Sequence, residues 1–359
     1  MIVPADIASA ADYERYFRDR ADPALSAYID GAGADSITAR WNREAFSRLA
    51  LHGRVLADMR GAHTRTRLCG IDLECPLLLA PVAYHRLVHE EGEVATALGA
   101  SAGGVVMTVS TQASRTLEDI AAAATTPLLF QLYQQPDRAD TLRLVRRVEA
   151  TGYRALVVTV DAPVTGLRNS EQRAGFRLPA AVRAVNLDGM ATLDMAGAPG
   201  RSPVFSGLLD HAPGWGDIEW LRRETPLPIL LKGILHPDDA RRALACGIDG
   251  LVVSNHGGRT LDTLPATLDA LPAIATADQG RVPLLLDGGI RRGTDIVKAL
   301  ALGASAVLIG RPQLHALAIA GASGVAHLLT ILRTELEVAM ALAGCSRPDA
   351  IDKNLVWRP

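Results

Sequence analysis

Eight short apolar runs recur along this chain, each bounded by turn residues: Leu77 to Ala80, Val105 to Val109, Leu128 to Tyr133, Ala155 to Asp161, Ile229 to Lys232, Gly250 to Asn255, Leu284 to Asp287 and Ala306 to Gly310. They are continuous rather than alternating, the pattern of strands covered on both faces in a parallel sheet. Between them lie segments of helical spacing, such as Asp140 to Ala150, Asp238 to Ala245 and Asp295 to Leu302. These run into Gly152, Gly247 and Gly303, as helix C-termini favour. Strand then helix, repeated eight times, predicts an α/β fold whose sheet closes into a single (β/α)8 TIM barrel over residues 1–359. An open dinucleotide-binding sheet is disfavoured, because no G-x-G-x-x-G follows the first run.

Two stretches break the beat. The N-terminal stretch to about Asn42 reads as helical and is expected to pack across one end of the barrel. Residues 162–217, rich in Gly and Pro around Gly197 to Gly216, form a long insertion after the fourth strand. A connection of that length is either a mobile lid over a site or a surface excursion without a role.

Composition narrows the class. With 48% hydrophobic residues and a net charge of -2, the chain reads as a compact enzyme with no electrostatic case for nucleic acid. Its Ala-rich runs are broken by Gly, Arg or Asp, so no membrane span is expected. The first residues, Met1 to Arg20, have no apolar core of a signal peptide. The four cysteines, Cys69, Cys75, Cys246 and Cys345, form no C-x-x-C pair and predict neither a metal site nor a disulfide framework. A cytoplasmic location is the expectation.

The ends of barrel strands face a common mouth, and here they are polar. Ser254-Asn255-His256-Gly257-Gly258-Arg259 closes the sixth run. There His256 can take a proton near neutral pH, and Arg259 can grip a carboxylate through two parallel hydrogen bonds. Asp161, ending the fourth run, is placed to orient His256 as a general-base pair, although Asp161-Ala162-Pro163 also reads as a plain turn. Asp287-Gly288-Gly289-Ile290-Arg291 and Gly310-Arg311 mark the loops after strands seven and eight, which commonly bind phosphate in this fold. Lys232 ends an otherwise apolar run. Its chemistry allows a Schiff-base nucleophile, a fixed charge beside an electron-rich cofactor, or a side chain that snorkels to solvent.

These residues in this order resemble the FMN-dependent 2-hydroxy acid oxidase and dehydrogenase family. The likeness rests on Ser254 to Asp262, Asp287 to Asp295 and Phe130-Gln131-Leu132-Tyr133, and runs from about Tyr28 to Arg311. It implies FMN as cofactor, and oxidation of a lactate- or mandelate-like L-2-hydroxy acid with O2 as acceptor. Another acceptor, a flavin isomerase or a Schiff-base lyase are the other readings. His256 would be the catalytic base, Asp161 its partner, and Tyr133 would face the substrate hydroxyl. Arg259, Arg168 and Tyr28 would hold the carboxylate. The resemblance assigns Lys232 to the flavin, with Pro81, Val82, Ala83, Ser110, Gln131, Thr159 and Ser254 around the ring, and Asp287, Gly289, Arg291, Gly310 and Arg311 at the ribityl phosphate. Proton loss from carbon and hydride transfer both remain open. The likeness also implies a homo-oligomer, a tetramer or octamer.

The chain departs from that pattern in places. Leu167-Arg168 stands where members often carry two arginines, and Gln112 where plant glycolate oxidases place tryptophan. The run Ala80 to Leu87 is closer to hydroxymandelate oxidases, which points to a larger or aromatic substrate.

Overall fold

The computed structural model describes residues 2–191, 202, 204–205, 209 and 212–357. Eight parallel strands close into a barrel: β1 (Leu77–Leu79), β2 (Val106–Ser110), β3 (Leu128–Leu132), β4 (Leu156–Thr159), β5 (Ile229–Ile234), β6 (Gly250–Val253), β7 (Leu284–Leu286) and β8 (Ala306–Ile309). Closure is direct, with Val307 to Ile309 of β8 paired to Leu77 to Leu79 of β1. The described helices are α1 (Ala10–Arg20), α2 (Pro23–Asp30), α3 (Ile37–Ser47), α4 (Glu93–Ala102), α5 (Leu117–Ala123), α6 (Arg138–Ala150), α7 (Asn169–Arg173), α8 (Trp215–Glu224), α9 (Pro237–Ala245), α10 (Thr267–Asp278), α11 (Gly293–Ala301) and α12 (Arg311–Ala343).

Every expected strand is present, with ends shifted by one or two residues. β4 stops at Thr159, leaving Asp161 beyond it, and β5 continues to Ile234 past an irregularity at Lys232. Strand alternation explains why the runs looked continuous. Leu78, Val106, Leu129, Val157, Leu230, Val252, Leu285 and Leu308 fill the barrel interior, while Leu77, Met107, Phe130, Val158, Leu231, Val253, Leu286 and Val307 face the helices. Both faces are dry, so both are apolar.

The bottom of the barrel is stoppered by an antiparallel hairpin, Thr66–Leu68 with Ile71–Leu73. It turns at Cys69 and Gly70, both at positive φ (46 and 78), and sends Leu68, Ile71 and Leu73 into the interior cluster. The N-terminal stretch is helical as expected and lies at the mouth end. There Asn42 of α3 and Asn255 exchange two amide hydrogen bonds of 2.8 and 2.9 Å, both side chains buried.

The membrane expectation needs a correction. α12 spans 33 residues with a mean hydropathy of 1.6 in its most apolar window, enough by length and composition to cross a bilayer. It is not straight: Ala320 and Gly321 leave helical geometry, and 61% of that window is buried against the protein. Its apolar side packs on α1, α4 and α11. All four cysteines are free, and Cys75, Cys246 and Cys345 are buried.

Candidate active site

The inward register that fills the barrel with aliphatic side chains continues one step towards the mouth as Ser110, Gln131, Thr159, Lys232, Ser254 and Asp287, all buried. Sheet pairing sets them side by side, Ser110 against Gln131 and Thr159 against Lys232. One pocket opens above this layer, lined among others by Tyr28, Tyr133, Arg168, His256 and Arg259, by Pro81, Val82 and Ala83, and by Gly289, Arg291, Gly310 and Arg311.

His256 Nδ1 lies 2.8 Å from Asp161 Oδ1. Burial and the nearby Lys232 ammonium push the imidazole pKa down, against the opposing pull of Asp161. Burial raises the Asp161 carboxyl, but Lys232 and His256 outweigh it and hold the pKa below the usual carboxylate value. The consequence is a neutral imidazole whose Nδ1–H donates to an ionised Asp161, leaving Nε2 a free base directed to the pocket. Tyr133 Oη is 3.5 Å from that Nε2, and burial raises its pKa, so the phenol stays protonated. Asp161 is seated by Gly233 of β5: a Cβ there, where φ is +111, would lie 2.5 Å from Asp161 Cβ.

Lys232 does not snorkel. Its side chain is 5% exposed, with Nζ 3.0 Å from Ser254 Oγ and 3.4 Å from Asp287 Oδ2. Burial lowers its pKa, but Asp287 and Asp161 outweigh burial and leave it raised, so it is a fixed ammonium. That charge state disfavours Schiff-base chemistry, which needs a free amine. Ser254 differs from its expected place. It does not line the pocket but lies beneath it with no exposure, its hydroxyl accepting from Lys232 and from the His256 N–H.

Arg259 and Arg168 enter the pocket from different elements. Arg259 Nη1 donates to the carbonyls of Tyr28 (2.9 Å) and Gly31 (2.7 Å), and its guanidinium lies over the Tyr28 ring. Tyr28 in turn stacks on Phe176 at 4.4 Å between centroids. At the register where members often carry two arginines, Leu167 is 76% exposed and Arg168 turns into the pocket.

The residues present fit FMN. Gln131 Nε2, Thr159 Oγ1 and Asp287 Oδ1 are buried, border the pocket and have no protein partner, the donors and acceptors that a flat heterocycle would pair. Arg311 is half-buried beside Arg259 and Arg291, and desolvation plus those like charges push its pKa down to about 9. Such a cluster is built for an anion, and α12 begins at Arg311 in the same pocket. Residues that sequence reasoning missed include Asn42, Gly233 and Glu171. Glu171 carried a signal, three positions after Arg168 in a helical stretch; the other two act only through contacts across the fold.

The family profile for FMN-dependent dehydrogenases matches residues 17–358. The chain belongs to that family and is an FMN-dependent oxidoreductase acting on the alcohol of a 2-hydroxy acid. Among curated relatives, an L-lactate oxidase of Alicycliphilus denitrificans is 50% identical over 96% of this chain and 95% of its own length. Glycolate oxidase 3 of Arabidopsis thaliana is 40% identical over 95% and 93%. A solved mandelate oxidase bound to (S)-4-hydroxymandelic acid superposes with a TM-score of 0.88 at 42% identity, covering 96% of this chain and 97% of that one.

Proposed function

We propose that this protein oxidises a small L-2-hydroxy acid, L-lactate foremost, to the 2-oxo acid, and passes the two electrons to O2 as H2O2. The observation that carries the reading is the neutral His256, held by Asp161 and facing a pocket edged by two arginines. Bound FMN supplies the two-electron acceptor. Arg168 and Arg259 hold the substrate carboxylate, with Tyr28 beside them. Tyr133 donates to the substrate oxygen, and His256 Nε2 takes the proton while Asp161 stabilises the imidazolium. Lys232 and Gln131, Ser110 and Thr159 hold the flavin ring together with Pro81, Val82 and Ala83, and Asp287, Gly289, Arg291, Gly310 and Arg311 hold its phosphate chain. The 50% identical L-lactate oxidase supports lactate and an oxygen acceptor. The mandelate oxidase likeness, with the run Ala80 to Leu87, supports an aromatic acid as the second reading.

The same proposal extends to the surroundings. Residues 162–217 act as a lid. Supporting this, the described part carries Arg168 and Phe176 over the mouth, and Arg86 donates to the Ala181 carbonyl at 3.1 Å. Residues 192–201, 203, 206–208 and 210–211 of that stretch lie outside the described residues. Self-association to a tetramer or octamer is supported by exposed Val55, Leu56, Val338 and Leu342; the Arg54 N–H bonds the Ala343 carbonyl, which brings this loop beside the end of α12. The location is cytoplasmic.

The test is an anaerobic spectrum of the purified protein with L-lactate, D-lactate and L-mandelate in turn, followed by air. L-lactate is expected to bleach the flavin band, with recovery and peroxide on aeration. Bleaching by L-mandelate alone selects the second reading, slow recovery in air selects another acceptor, and no bleaching by any acid rejects the proposal.

A further inference from the structure

Glu171 does not line the pocket but touches two arginines that do, and the clamp and base assignments leave it idle. It lies on α7 with its side chain 16% exposed, and one oxygen, Oε1, is 3.1 Å from Arg168 Nη1 and 3.3 Å from Arg259 Nη2. A single carboxylate oxygen therefore bridges both guanidiniums. Two cations brought together out of bulk water repel strongly, and a carboxylate between them removes most of that cost. Arg259 Nη1 is meanwhile occupied by backbone carbonyls, so Glu171 and those carbonyls together fix the plane of the guanidinium. With Glu171 ionised, the three side chains sum to one positive charge; without it they sum to two.

We infer that Glu171 is a positioning residue that holds Arg168 and Arg259 as a convergent pair and sets the clamp's net charge to match a single substrate carboxylate. It thereby disfavours dianionic ligands. This rests on the reading of Arg168 and Arg259 as the carboxylate clamp.

The experiment titrates the holoenzyme with pyruvate, a monoanion, and oxalate, a dianion, following the visible flavin spectrum, in the native protein, Glu171→Gln, Glu171→Asp and Arg168→Met. Each ligand charge gains attraction when Glu171 is neutralised, so Glu171→Gln should tighten oxalate over pyruvate by roughly tenfold relative to the native ratio. Turnover with L-lactate should fall in that variant without a rise in KM. Glu171→Asp keeps the charge and shortens the reach, so it should keep the native ratio and lose turnover. A merely structural role would weaken both ligands alike and leave the ratio unmoved. An oxalate-to-pyruvate ratio within twofold of native in Glu171→Gln overturns the inference, as does a shifted ratio in Glu171→Asp. Arg168→Met separates the two claims. Weakening of both anions upholds the clamp whatever Glu171 does, and unchanged binding of both overturns the clamp and the inference with it.

Discussion

His256 occupies left-handed backbone at φ 58, a region that a non-glycine residue enters only when its surroundings require it. The surroundings are specific: its N–H donates to Ser254 Oγ, the side chain that also receives Lys232, and its ring is tied to Asp161. Asp161 depends on Gly233, so Gly233→Ala should displace the carboxylate and cost roughly a hundredfold in flavin reduction rate with flavin still bound, measured by stopped flow. The pH profile follows from the same contacts. His256 must be neutral to act, and its pKa is lowered by burial and by Lys232, so the acid limb of kcat/KM should lie below the ordinary imidazole value of about 6.5. Removing the ammonium relieves repulsion of the imidazolium, so Lys232→Gln should move that limb upward. A limb left in place, or moved down, would contradict the assigned geometry. At this scale the sequence was legible wherever a polar residue interrupted an apolar run: His256, Lys232 and Asp287 stand out by type. Ser254 lies beneath the pocket, a position set by its contacts with Lys232 and the His256 N–H, which sequence order does not show.

At the scale of elements, the loop from Ser254 to Arg259 is registered by α3. Asn42 and Asn255 pair amide to amide, Asn42 also accepts from the Thr267 N–H, and Asp262 accepts from the backbone N–H groups of Asp35, Ile37 and Thr38. Asn42→Ala removes both amide hydrogen bonds to Asn255 and takes the acceptor from the buried Thr267 N–H, a loss of about 1–3 kcal/mol in unfolding free energy. Because the same pair fixes the loop that carries His256, the proposed base, turnover should fall with it. The bottom hairpin is the control. Ile71→Ala removes side-chain packing at the far end of the barrel and should cost about 2–5 kcal/mol in stability while leaving kcat and KM nearly native. Denaturant melts paired with steady-state kinetics check both. Strands and helices were readable from period and turn residues. The hairpin Thr66-Arg67-Leu68-Cys69-Gly70-Ile71-Asp72-Leu73 alternates around a turn and holds no continuous apolar run, so the pattern that marks the barrel strands does not mark it.

At the scale of the whole molecule, the barrel gathers Arg259, Arg291 and Arg311, each half-buried, around one pocket. Glu171 offsets Arg259 and Glu14 offsets Arg291 only in part, so the net positive charge that is left opposes folding and an anion there relieves it. Apoprotein should therefore melt below holoprotein, and inorganic phosphate should recover part of the difference in a thermal melt, whereas chloride at equal ionic strength should not. This convergence was only partly legible in sequence, since the two Gly-Arg motifs are close in the chain but Arg259 arrives from another loop. The central claim is that His256 is the base of an otherwise complete flavin site. It is tested most directly by stopped-flow reduction of His256→Ala with L-lactate, after its flavin content is confirmed. The account predicts native flavin content and a reduction rate lower by about 10²–10⁴-fold; full flavin with reduction near the native rate would contradict it.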